Sequence, residues 1–304
     1  MVDVGLLFDI TVSGIGLGAL YALVAMGFSL IYKVTGVLNF AQGQLALVGA
    51  YGVVMFSSPA VLGIELSPLA ALLATIVLGV VLGVVLERVV FRQFIGEPVL
   101  SVIIVTLALG GIITGLFSYL FGRNFRSYPA LLNPDWSVDL PLGASISAAF
   151  AIGVAISLVV VLGLMVFFRY TVTGSILRAA ASDQQAAMAL GVSVERTIAL
   201  AWTLSIAITA IGGVLLAMSS GGAGFTIQSV GIIIFAAVVF GGLDSVPGAF
   251  IGALVVGLLE QYGAFYAEPI VGSGFGQILP LLFLLAVIIV KPYGLFGTER
   301  IERL

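Results

Sequence analysis

The sequence predicts an all-α, polytopic membrane protein with eight to nine transmembrane helices. Of its 304 residues, 61% are hydrophobic and 8% are charged, whereas a soluble domain carries about 25% charged residues. A transmembrane helix needs roughly 20 mostly apolar residues, and apolar windows fill most of the chain. The windows are 10–32, 39–58, 68–90, 99–121, 144–168, 198–218, 229–243, 249–266 and 277–291.

Eight of these spans are secure, and the doubt concerns the pair 229–243 and 249–266. The sequence GGLDSVPG between them holds a carboxylate and a proline, so either a tight hairpin or a re-entrant break fits. No linker rich in Ser, Pro or charge divides the chain, which predicts one transmembrane domain over 1–304. The runs GIGLGAL and GALVVGLL have the small-xxx-small spacing of closely packed helices.

Composition excludes several classes of function. Cys and His are absent, which removes thiol nucleophiles, zinc sites built on those ligands and histidine bases. The two lysines, Lys33 and Lys291, lie outside any G-x-x-x-x-G-K-[ST] loop. A net charge of −3 without a basic patch argues against nucleic-acid binding. We therefore predict no catalytic residue, no metal, no cofactor and no enzymatic activity in this chain.

The positive-inside rule predicts the orientation in a cell membrane. Nine crossings with the N-terminus outside and the C-terminus in the cytoplasm put most cations inside and leave Arg123 and Arg126 outside. The predicted cytoplasmic cations are Lys33, Arg88, Arg92, Arg169, Arg178, Arg196, Lys291, Arg300 and Arg303.

The longest predicted cytoplasmic connection is 169–197. Its stretch ILRAAASDQQAAMAL is rich in good helix formers and is followed by Gly191, a typical helix stop. We expect a short surface helix that docks on a partner protein. A solvated loop helix with no partner is the alternative.

Polar residues interrupt two apolar runs. Asn39, Gln42 and Gln44 lie in 36–51, while Asp244, Ser245 and Pro247 lie in 241–257. Interrupted segments in two halves of a transporter indicate broken helices around a midplane site. Helix starts at the membrane surface are the alternative, because Asp244 or Ser245 can cap the helix that follows.

Five stretches in order resemble the membrane-spanning permease subunits of branched-chain amino acid ABC importers. They are ALYALVAMGFSLIYKVTGVLNFAQGQL (19–45), LERVVFR (86–92), GSILRAAASDQQAAMALGV (174–192), GGLDSVPGAFIGALVVG (241–257) and KPYGLFG (291–297). The resemblance implies a second permease, identical or related, two ATPase subunits on the cytoplasmic loop and an extracytoplasmic binding protein, all in contact with membrane lipid. It also implies a coupling loop with Gly174, Arg178, Ala179, Asp183, Ala187 and Gly191 at matching positions.

The resemblance and the polar breaks together predict a translocation path lined by Asn39, Gln42, Gln44, Gly241 and Gly242. Asp244 and Ser245 are expected to cap a helix instead. Gln44 stands where the family more often has Glu, and Ser175 stands where a basic residue is common. The leading interpretation is an importer of branched-chain or other small neutral amino acids that moves its substrate by alternating access. The departures keep a urea or short-chain amide permease open as an alternative. A stand-alone channel or ion-coupled carrier is the alternative from another class.

Overall fold

The computed structural model describes residues 4–141, 144–182, 184–291 and 293–297. Their fold is predominantly helical, which confirms the predicted all-α membrane class. The helices are α1 (Val4–Thr35), α2 (Gln42–Ser57), α3 (Pro59–Leu62), α4 (Pro68–Val89), α5 (Val99–Phe121), α6 (Ala148–Tyr170), α7 (Val172–Ser182), α8 (Gln184–Ala189), α9 (Val194–Ser219), α10 (Val230–Gly241), α11 (Val246–Tyr262), α12 (Glu268–Val271) and α13 (Phe275–Val290). Six helical stretches are long and apolar enough to cross a membrane: α1, α4, α5, α6, α9 and Val246–Val271.

Short strands occur in two connections. Strand β1 (Arg126–Ser127) pairs antiparallel with β4 (Gly222–Ala223), and β2 (Ser137–Asp139) pairs with β3 (Ser145–Ser147). The first pair joins the α5–α6 connection to the residues that follow α9. Residues 126–127 therefore tie this connection to the bundle by backbone hydrogen bonds.

The central helix is α1, which packs most extensively on α11 and α9. A Cβ atom on Gly18 would overlap the backbone of Leu254, and one on Gly257 would overlap the backbone of Gly14 and Gly18. The two predicted small-residue runs therefore pack on each other, as their spacing predicts. Most residues of the α1 span are buried, whereas most residues of the α4, α5 and α6 spans are not.

Cations collect at one end of the bundle, which we call the basic end. Lys33 ends α1 with its ammonium 5.9 Å from the Phe168 ring of α6, and Arg88 lies in the last turn of α4. Just beyond α4, Phe91 stacks on Trp202 of α9 with ring centroids 3.6 Å apart. We call the opposite end, where Ser145 donates to Asp9, the loop end. Arg300 and Arg303 lie outside the described residues.

The doubtful pair of spans is a tight hairpin of two helices. The turn between α10 and α11 begins at Gly242, whose φ of +105° favours glycine. A Cβ atom on Gly241 would overlap the Gly248 backbone, so these helices need glycine to approach so closely. A re-entrant break is present elsewhere, before α2.

Candidate translocation site

The chain turns back into the bundle after α1 and starts α2 in mid-membrane. Gly36 has a φ of +69°, and residues 36–41 lead back from the basic end to Gln42. The Gln42 amide donates to Thr209 Oγ1 at 2.5 Å and to the Val24 carbonyl at 3.3 Å. Because Thr209 lies near the middle of α9, α2 begins near mid-depth.

Asn39 and Gln42 stabilise this non-helical segment through hydrogen bonds to groups within the protein. The Asn39 amide donates to Gln42 Oε1 at 2.8 Å, and Asn39 Oδ1 accepts from the Ala41 N–H at 3.1 Å. Both side chains are only 1% exposed. Their hydrogen-bonding groups are thus directed at the protein, so they fix the start of α2 in place.

A second irregular segment meets the break at the same depth. Residues Phe225–Ser229 form a 3₁₀ helix that continues into α10. The Gly43 Cα faces the Gln228 carbonyl and Gly231 so closely that a Cβ atom there would overlap both backbones. The second irregular segment at mid-depth is therefore 225–229. In 241–257, residues 242–245 form a turn between two helices, which agrees with the alternative that this interruption is a helix start.

Five residues around this junction form what we call the mid-depth face: Phe40, Gln44, Thr114, Gln228 and Ser229. They are exposed or half-buried, and Thr114 donates to Gln228 Oε1 at 2.9 Å. Gln44 lies against Gly110 of α5, where its Oε1 is buried and, within the described part of the chain, has no hydrogen-bond partner. Irregular backbone at this depth is tolerated only against protein or a water-filled cavity, so the mid-depth face does not face lipid.

The structure does not bring Gly241 and Gly242 to the mid-depth face. Gly241 packs on Gly248 of α11, and Gly242 packs on Gly297. Ser245 is the N-cap of α11, because its Oγ accepts from the Gly248 N–H at 3.1 Å. Asp244 precedes this cap and, together with Lys33 and Tyr293, lines a cavity of about 560 Å³ at the basic end.

Direct hydrogen bonds connect the loop end to the helices of the site. The Tyr128 hydroxyl donates to the Ala50 carbonyl of α2 at 2.6 Å, and the Tyr51 hydroxyl donates to the Asn124 carbonyl at 3.3 Å. Burial raises the pKa of the Tyr128 phenol well above its usual value, so the donor keeps its proton at any physiological pH. A displacement of residues 122–128 would therefore be transmitted to α2 through these two hydrogen bonds.

The predicted coupling helix is two helices, α7 and α8. Gly174 packs on the Phe167 carbonyl of α6, and the exposed Arg178 donates to Ser175 Oγ at 3.2 Å. Ala187 is buried, and Gly191 ends the segment with a φ of +85°. Asp183 lies outside the described residues. Two apolar side chains beside Ala187 are exposed, Met188 and Leu190.

Sequence reasoning missed the polar partners on other helices. Thr114 and Thr209 are two of several hydroxyl residues within the apolar windows of α5 and α9, and Gln228 follows the glycine-rich GGAGFTI. Hydroxyl groups are common in such windows, so nothing in the sequence singles these out. The polar Gln228 after a glycine run is the one signal that could have been noticed.

The chain is thus a multi-pass membrane protein with a polar site at mid-depth, a feature typical of transport subunits. Residues 10–291 match the family described as "Branched-chain amino acid transport system / permease component", and the chain belongs to this family. Permease components of this family are transport subunits.

Relatives agree over nearly the whole length. The chain is 29% identical to the high-affinity branched-chain amino acid transport system permease protein LivH of Salmonella typhimurium, with 96% of each chain covered. It is 29% identical to BraD of Pseudomonas aeruginosa, again over 96% of each, and 28% identical to the probable LivH of Methanocaldococcus jannaschii over 94% and 91%. Among solved structures, "PsaBC from Streptococcus pneumoniae in complex with Fab" aligns with a TM-score of 0.48, 18% identity and 94% and 92% coverage.

Replacing Gln42 with leucine should destabilise the fold, because it removes three hydrogen bonds and leaves Asn39 and Thr209 with unmet bonds. We expect Gln42→Leu to lower the free energy of unfolding by about 1–3 kcal/mol, measured as a lower thermal midpoint in detergent. Gln44→Leu removes an oxygen without a partner and should leave the midpoint nearly unchanged. Equal midpoints for the two variants would contradict the role given to Gln42.

Proposed function

We propose that the chain is the pore-forming permease subunit of an ATP-driven importer for branched-chain or other small neutral amino acids. Membership of the permease family and the names of the LivH and BraD relatives support this substrate class. The observation that carries the proposal is the mid-depth face, where uncharged amides surround the start of α2. Transport proceeds by alternating access of this face to the two sides.

The chemistry of the mid-depth face suits a zwitterion with an apolar side chain. The first N–H groups of a helix lack partners within it and favour a negative group, so the dipole at the start of α2 attracts a carboxylate to the mid-depth face although residues 41–43 are themselves buried. The Gln44 and Gln228 amide oxygens suit an ammonium group after the Gln44 side chain turns out from Gly110, where its oxygen is buried, and Phe40 offers an apolar contact. A fully charged lining would hold the substrate too tightly for release.

The residues of the path divide into two groups. Gln44 lines the path, while Asn39 and Gln42 position the start of α2 from behind. We do not extend the path to Gly241 and Gly242, because their Cα atoms face packed backbone.

The orientation proposed for the chain puts the basic end in the cytoplasm of the cell and the N-terminus outside. The cations at the ends of α1, α4 and α6 support it. The loop end, with residues 122–143, then faces the extracytoplasmic binding protein.

The partners proposed for the chain follow from this orientation. The sequence holds no phosphate-binding loop of its own, so ATP hydrolysis requires two ATPase subunits. These dock on α7 and α8 at the cytoplasmic end. A second permease, identical or related, covers the mid-depth face, which cannot face lipid. Energy for transport therefore comes from other chains.

A urea or short-chain amide permease is the second candidate. Gln44 and Gln228 favour it, because a carboxamide carries both hydrogen-bond donors and an acceptor and can therefore bind urea as well as an amino acid. Competition of unlabelled urea, acetamide and leucine against leucine uptake distinguishes the two. Leucine alone should compete.

Gln44→Leu should lower the initial rate of leucine uptake about tenfold, because one hydrogen bond to a charged group is worth about 1.5–3 kcal/mol. Uptake is measured in proteoliposomes with the ATPase and binding-protein partners, at equal permease content. Gln277→Leu, an exposed position on α13, is the matched control and should transport normally. Equal rates for the two variants would place the path elsewhere.

Met188→Glu should reduce co-purification of the ATPase subunits at least tenfold and abolish uptake, because it puts a charge on an exposed apolar position of α8. Met188 is a sharper probe than Ala187, whose replacement would also disturb the packing of α8. Ile95→Glu, another exposed position at the basic end, controls for the added charge. ATPase association that survives Met188→Glu would refute the docking site.

A single cysteine at Ser137 should react with a membrane-impermeant maleimide in intact cells, because β2 is exposed at the loop end. The natural chain has no cysteine to interfere. Thr173→Cys in α7 should react only after the membrane is opened. The reverse pattern would invert the orientation.

A further inference from the structure

A groove opens on the flank of the bundle at the basic end, between α6 and the start of α11. Its volume is about 370 Å³, and its walls are apolar side chains. They are Val161, Leu164, Met165 and Phe168 of α6, with Val246 and Pro247 of α11. Met165 is 43% exposed, and its neighbours Leu162 and Val166 on α6 are exposed as well, so the groove opens to the side of the bundle that lipid surrounds.

Three cations stand around the groove: Lys33, Arg169 and Arg178. They come from three different helices, α1, α6 and α7, so the fold and not the local sequence brings them together. Among the described lining residues there is no Asp or Glu. Asp244, a carboxylate that acts electrostatically on Lys33, lines the neighbouring cavity.

We propose that this groove binds an anionic phospholipid, with an acyl chain between α6 and α11 and the phosphate among the three cations. An apolar cleft below a cluster of cations at the basic end complements an anionic headgroup with its tail. Lys33 and Arg169 end membrane-spanning helices, so they lie at headgroup depth. A soluble anion would use the cations and leave the apolar cleft unfilled.

The site has a consequence for the permease because α7 forms one side of it. Arg178 lies in the segment proposed to contact the ATPase, whereas Lys33 and Arg169 lie on spanning helices. A bound phosphate therefore bridges α7 to α1 and α6 and holds the segment against the bundle. The lipid site itself does not depend on the substrate proposed above.

The test is native mass spectrometry of the purified full chain, titrated with phosphatidylglycerol or with phosphatidylcholine of the same acyl chains. The chain should retain phosphatidylglycerol in preference. Each cation near a charged headgroup is worth about fivefold in affinity, so Lys33→Gln with Arg169→Gln should weaken retention roughly 25-fold. Arg88→Gln, which removes an exposed cation from the end of α4, should change it little.

A second pair of variants tests the apolar cleft. Met165→Trp should fill the groove and displace the lipid, while Val159→Trp, exposed on α6 outside the lining, should not. Equal retention in the double variant and Arg88→Gln would overturn the proposal. So would displacement by millimolar inorganic phosphate, which would indicate an anion site, or loss of a dimer in Met165→Trp without loss of lipid, which would indicate that a second copy covers the groove.

Discussion

The structure depends on hydrogen bonds to the polar groups of the non-helical segment between α1 and α2, which lies in the middle of the membrane. The hydrocarbon interior offers no water at that depth, so each backbone N–H and C=O that does not face a water-filled cavity needs a partner within the protein. Asn39 accepts from the Ala41 N–H, and Thr106 of α5 accepts from the Phe40 N–H at 3.2 Å. Gln42 then fastens the start of α2 to α1 and α9. Gly27 is required beside it, because a Cβ atom there would meet the Thr209 hydroxyl and the Gln42 amide.

The same constraint accounts for the way the loop end is built. The chain leaving α9 has to reach mid-depth again as the 3₁₀ helix of Phe225–Ser229, and the strand pair β1–β4 satisfies the backbone just before it. Tyr128 continues this connection by donating to α2. The α5–α6 connection is thus hydrogen-bonded to α2 and to residues 221–223 just before the 3₁₀ helix. A displacement of this connection therefore acts directly on two of the segments that lead to the mid-depth face.

The apolar windows predict the helices well, because a span is a local property of composition. The window 99–121 coincides with α5, and the interruption at Asn39 and Gln42 is where α2 begins. The position of the second interruption was not predictable in the same way. Asp244 and Pro247 look in sequence like a broken helix, yet they form a turn, while Gln228 reaches mid-depth because Gly43 leaves room for its carbonyl. Such a fit depends on residues far apart in the chain, which one sequence does not reveal.

Two polar features of the break differ in what they can contribute to transport. Gln42 has its amide and its carbonyl oxygen engaged within the protein, so its bonds cannot change partners without cost to the fold. Gln44, two residues further along, points to the other side of α2, and its Oε1 is buried against Gly110 without a hydrogen-bond partner in the described structure. A group that must bind and release a substrate in every cycle needs that freedom, because its hydrogen bonds have to be exchanged at little net free energy. In the proposed path, Gln42 keeps the start of α2 in place while Gln44 exchanges its hydrogen bonds with substrate, and this division follows from the geometry of a helix that begins inside the protein.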